Sequence, residues 1–260
     1  PHPLQPTTDL DGAPGCLGAS AKPSGNKTHA KEQGLLQNGG KQGESAFTFP
    51  ENTTRVILEL CTSQDSALGA GRYQARGACT VRITLDQDLT TDAGLAFCMS
   101  VVSAARAANH PLTLFMSLPC TAGCPYWRAT VRRFPRTADK LRRHKMVLGK
   151  LLNHAEILHK FAIGLYGDRP VLALFEWPKS CSLWQEKAIV DFRHAIGLIH
   201  STSFDGCALG WTSIARKTFG TPLKKPLTLA STDEEILPHL TPFRCRGGHD
   251  HAPTAGVNTR

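Results

Sequence analysis

At 260 residues the chain is long enough for one good-sized domain with tails. Its 30 Lys and Arg against 21 Asp and Glu leave a formal net charge of +9, which favours a polyanionic partner, nucleic acid first, over the blander reading of charge as solubility. No apolar stretch reaches the length of a membrane span, and nine cysteines, odd in number and partly inside apolar runs (Cys61, Cys79, Cys98), argue against a secreted disulfide framework and for an intracellular chain.

Residues 1–45 are rich in Pro, Gly, Gln, Asn, Ser and Lys and carry no hydrophobic period, so we read a disordered tail or linker over 1–53 and one domain over 54–260. The start shows neither a signal peptide nor an initiating Met, as expected of a piece of a longer polypeptide. Residues 55–60 and 79–85 read as strands, the second leading into an acidic loop with Asp86, Asp88 and Asp92. Residues 91–108 have helical spacing, and 112–120 form an apolar run ending in Pro119-Cys120. The longest periodic segment is 137–166, where Leu141, Leu148, Leu151, Leu152, Ala155, Leu158, Ala162 and Leu165 line one helix face. A strand over 171–176, a helix over 185–196 and weaker strands over 201–209 and 227–231 complete the pattern. Strands alternating with helices predict an α/β fold, a Rossmann-like and mostly parallel sheet with helices on both faces.

Two apolar strands end on chemically useful residues, one at Pro119-Cys120 and the other at Glu176-Trp177-Pro178. Sheets of this class carry their chemistry at the carboxyl ends of the strands, which would set Cys120 beside Glu176. A thiolate there is a candidate nucleophile, and a carboxyl group can hold or protonate a ring nitrogen. The bland readings are a buried structural cysteine and a surface glutamate. A zinc deaminase is a weaker fit. Cys120 and Cys124 are one residue too far apart for its Pro-Cys-x-x-Cys signature, and the one His-x-Glu, at His154 and Glu156, falls downstream within the long helix.

Taken in order, four segments share a pattern: Val56-Ile57-Leu58-Glu59-Leu60-Cys61, Ser117-Leu118-Pro119-Cys120, Phe175-Glu176-Trp177-Pro178, and Phe219-Gly220-Thr221-Pro222-Leu223-Lys224-Lys225. Together they resemble the core of a C5-cytosine DNA methyltransferase, a class I S-adenosylmethionine methyltransferase fold, over roughly residues 54–232. The likeness is nearest to divergent versions carried in mobile-element polyproteins, such as those of dinoflagellates. The resemblance implies that Cys120 attacks C6 of a flipped cytosine while Glu176 binds N3 and the exocyclic amine. It also implies S-adenosylmethionine over the loop after the first strand, held by Glu59, Cys61, Asp65, Asp86 and Pro119, and DNA as the partner, with the nucleus as the compartment. The turn carries one late glycine, Gly69, and Trp177 stands where the family has Asn. The chain is thus read as an active or a decayed methyltransferase-like domain; the alternative is a noncatalytic nucleic-acid-binding module.

Behind the Pro-Cys step runs a basic stretch interleaved with aromatics. Trp127, Arg128, Arg132 and Arg133 there, with Lys224 and Lys225 later in the chain, are the candidate nucleic-acid contacts; the alternative is a solvated helix face. Near the end, Cys245, His249 and His251 can supply three zinc ligands, with Cys207 a candidate fourth. A loop with incidental imidazoles is the competing reading.

Overall fold

Along β1 (Arg55–Leu60), Val56, Leu58 and Leu60 are fully buried on one side while Ile57 and Glu59 face the other. The same alternation runs through β2 (Ala78–Ile83), β3 (Leu112–Met116) and β4 (Val171–Pro178), and this period of two is what commits each segment to a strand. A computed structural model describes residues 47–253 apart from 65, 67 and 69–75, without the side chains of Tyr126 and Arg128. With β5 (His200–Asp205) and β6 (Pro226–Ser231) the strands form one sheet in the order β2-β1-β3-β4-β6-β5. The first four are parallel, and β6 runs antiparallel between β4 and β5. The chain leaves β1 toward β2 on one side and returns as β3 on the other, so the order reverses between β1 and β3. In open α/β sheets this switch point is where ligands bind.

Helices α1 (Asp92–Ala107), α3 (Ala138–Tyr166) and α4 (Lys187–Ala195) share one core with the Val56, Leu58 and Leu60 face. The other face, over β4, β6 and β5, is closed by the 3-10 helices Gly206–Leu209 and Glu234–His239, whose Leu209 and Ile236 pack on Leu174, Phe204, Leu227 and Leu229. The sheet is therefore flanked by helices on both sides, long on one and short on the other. Among the described residues, no helix is long and apolar enough to cross a membrane.

Three local differences from the sequence reading have simple causes. Phe47 and Phe49, ahead of the expected domain start at 54, already pack on it: they stack at 5.0 Å and reach Phe97 and His110 at 6.4 and 5.6 Å. On α3 the last buried position is Tyr166 rather than Leu165, which is 38% exposed, since Ala162 plus four continues the stripe and the Tyr166 hydroxyl donates to the His110 carbonyl at 2.9 Å. The loop after Cys120 holds an additional helix, α2 (Pro125–Arg133), which opens with proline at its first position and, at nine residues, is too short for its apolar stripe to repeat.

Candidate base-binding edge and Cys/His cluster

Beyond Met116 the chain leaves the sheet through Ser117-Leu118-Pro119-Cys120 and enters a 3-10 turn, Thr121–Gly123. Strand β4 and the turn that follows it hold this step. The Trp177 indole N–H donates to the Leu118 carbonyl at 2.5 Å, both residues being buried. The Cys181 thiol points at the Cys120 carbonyl at 3.9 Å, and the Ser182 hydroxyl donates to the Gly123 carbonyl at 3.2 Å. Gly123 must be glycine: a Cβ there would lie 2.4 Å from Cys181 Sγ and 2.6 Å from Leu183 Cγ. Trp177 thus acts in the core, packed on Phe175 at 4.6 Å and Trp184 at 5.4 Å.

Glu176, one residue from Trp177, faces the opposite side of the sheet, paired across from Leu229 of β6. Burial raises its carboxyl above the ordinary carboxylate range, and Lys225 and a hydrogen bond from Ser117 offset only part of that effect. Burial likewise pushes the Cys120 thiol up to about 12, with Cys181 and Glu176 adding to the rise and Lys225 opposing it. Cys120, Glu176 and Lys225 therefore share one electrostatic neighbourhood. Lys225, a candidate nucleic-acid contact, lies beside the Cys–Glu pair, its ammonium over the Trp211 ring at 5.5 Å.

At the switch point, Glu59 is buried to 4% exposure at the end of β1. Its Oε1 accepts from the Thr62 and Ser66 hydroxyls at 2.8 and 2.6 Å, while Oε2 has no partner among the described residues. Cys61 follows with φ of 60°, a left-handed conformation that a non-glycine residue rarely takes. Burial, with Asp88 adding, raises its thiol to about 12. Asp86, at the foot of β2, accepts from Gln64 at 2.8 Å. Pro119 is exposed on the β3 exit, and Asp65 and Gly69 of the turn lie outside the described residues. Of the acids described here, Glu59 is held by Thr62 and Ser66, and the exposed Asp86 accepts from Gln64.

The basic segment divides in two. Trp127 is buried, with the Lys140 ammonium over its ring at 5.6 Å and His144 at 5.8 Å, so it packs α2 against α3 and is not a free platform for stacking a base. Arg132 and Arg133 are exposed, as is Lys224. The side chain of Arg128 lies outside the described residues. The buried stripe of α3 begins only at Leu148, so its first turns stand off the core and carry exposed Lys140, Arg142, Arg143 and Lys145. Asp139 neutralises Arg142 at 2.9 Å, and Glu186 meets Lys145 at 2.6 Å.

The C-terminal residues gather a second constellation. Ligand atoms of Cys207, Cys245, His249 and His251 all lie within 4.8 Å of one another, a cluster that could hold a metal ion. Cys245 Sγ stands 3.8 Å from His249 Nε2 and 3.3 Å from His251 Nε2. Burial, and then the adjoining Cys245, raises the Cys207 thiol. No comparable ligand group forms around Cys120 and Cys124 among the described residues, and His154 is engaged elsewhere, its Nδ1 2.7 Å from the Leu89 carbonyl. That removes the deaminase geometry.

No known protein family, curated protein or solved structure matches the chain.

Proposed function

We propose that the chain is a cytosine-methyltransferase-like domain that binds nucleic acid, receiving an unpaired cytosine at the edge formed by Cys120, Glu176 and Lys225. The observation that carries this reading is the convergence of these three side chains, from β3, β4 and the entry to β6, at the carboxyl edge of the sheet. A carboxyl group whose pKa is raised by burial is suited to donate to N3 of a cytosine and accept from its amine. The exposed Arg132, Arg133 and Lys224 supply phosphate contacts around that edge. The reading is base binding; it assigns no contact to S-adenosylmethionine, and no transfer step is derived.

Fluorescence anisotropy on the full chain tests this. A duplex with one mismatched cytosine binds more tightly than the same duplex with an abasic site, and Glu176→Leu makes the two equal. Equal affinity in the unmutated chain would overturn the reading.

A second reading, a working methyltransferase, is favoured by one observation: the Lys225 ammonium beside Cys120 opposes the burial of a thiolate. It requires that the thiol proton pass to solvent, that Sγ add to C6 as the C5–C6 π bond opens and N3 takes the proton of the Glu176 carboxyl, and that S-adenosylmethionine binds. Calorimetry showing no heat with S-adenosylmethionine, with and without cytosine-containing DNA, rules it out.

A further inference from the structure

We propose that Cys207, Cys245, His249 and His251 bind one zinc ion in a closed, structural site that fastens the C-terminal segment to the end of β5. Two thiols and two imidazoles form the donor set that selects zinc among the common divalent ions. Tetrahedral zinc with ordinary bond lengths separates a sulfur from a nitrogen ligand by about 3.6 Å; the two separations here, 3.3 and 3.8 Å, bracket that value.

The backbone is shaped for the purpose. Between Cys245 and His249 the chain uses Gly247 and Gly248, both left-handed at φ 77° and 78°, to fold two ligands back toward each other. Cys207 enters from the 3-10 turn after β5. The neighbouring Gly206 has no room for a side chain, since a Cβ would lie 2.6 Å from the Trp211 ring. Asp205 accepts from the Cys245 amide at 2.9 Å, which sets the segment against the strand end.

Residues 244–251 hold no apolar side chain apart from Cys245, so burial cannot explain their fixed path. A metal can. Four protein ligands leave no open position for substrate, which makes the site structural. Each thiol releases its proton to solvent as its sulfur binds, so the site is occupied at neutral pH and lost in acid. The staple also reaches the base-binding edge. The Gly206 amide donates to the Lys224 and Lys225 carbonyls at 2.9 and 3.2 Å, and the Ala252 amide donates to the Pro222 carbonyl at 2.9 Å.

The test is elemental analysis of the full chain purified without chelator, then cobalt substitution. One zinc per chain is expected. Cobalt should give the intense visible bands and thiolate charge transfer of a tetrahedral sulfur and nitrogen site. Cys207→Ser and His251→Ala should each abolish stoichiometric binding, while Cys124→Ser retains it. Chelation should lower Tm by more than about 5 °C and speed amide exchange around residues 223–225. Failure of the unmutated chain, folded by circular dichroism, to take up zinc from excess metal would overturn the proposal. So would zinc retained at full stoichiometry by Cys207→Ser. Neither result depends on nucleic-acid binding.

Discussion

Glu176 illustrates what a buried acid costs and what it offers. Its folded-state pKa is raised by burial, so the folded chain holds a proton that the unfolded chain gives up above about pH 4.3. The stability tied to that proton is complete below the unfolded pKa and is lost as pH rises through the folded one. Glu176→Gln keeps the shape and removes the ionisation. Chemical denaturation should therefore find the variant more stable than the parent at pH 8, with the difference closing toward pH 4; a less stable variant at pH 8 would contradict the burial argument. The neighbouring Trp177 was legible in sequence only as a departure from a motif. Its role in tying Leu118 to β4 depends on which way its ring turns, and a linear pattern does not carry that. Lys225 was similarly hidden, because only the antiparallel insertion of β6 brings it next to Cys120.

Among the elements, α3 was the most legible, since a 29-residue helix repeats its apolar stripe enough times to be unmistakable. Within that stripe His159 looked like any other position. It is 3% exposed, and neither ring nitrogen has a partner among the described residues. Burial lowers its pKa, so below about pH 6.5 the unfolded chain binds a proton that the folded chain refuses, and stability falls with pH. Replacing it with leucine removes two unsatisfied nitrogens. We expect His159→Leu to gain about 1–3 kcal/mol in urea unfolding at pH 5, with less gain at pH 8; unchanged acid sensitivity would refute this. The short α2 is hard to read because nine residues are too few for its apolar stripe to repeat, and Trp127 amid arginines resembles a stacking residue, whereas its ring is buried under Lys140.

At the scale of the whole molecule, the alternation of strands and helices makes a mostly parallel sheet legible but not its order, in which β6 runs antiparallel between β4 and β5. The parallel register that aligns Met116 with Phe175 places the two strand exits side by side. If the exposed arginines of α2 track phosphates, Arg132→Ala with Arg133→Ala should reduce the slope of log K against log salt by about 1.4–1.8; an unchanged slope would place the phosphates elsewhere. The base-binding edge itself is tested most directly by fluorine NMR of a duplex carrying one mismatched 5-fluorocytosine, with intact-mass analysis of the same sample. The account predicts a fluorine shift on binding that Glu176→Leu abolishes, with no covalent adduct at Cys120. A bound duplex whose fluorine resonance does not move would contradict it.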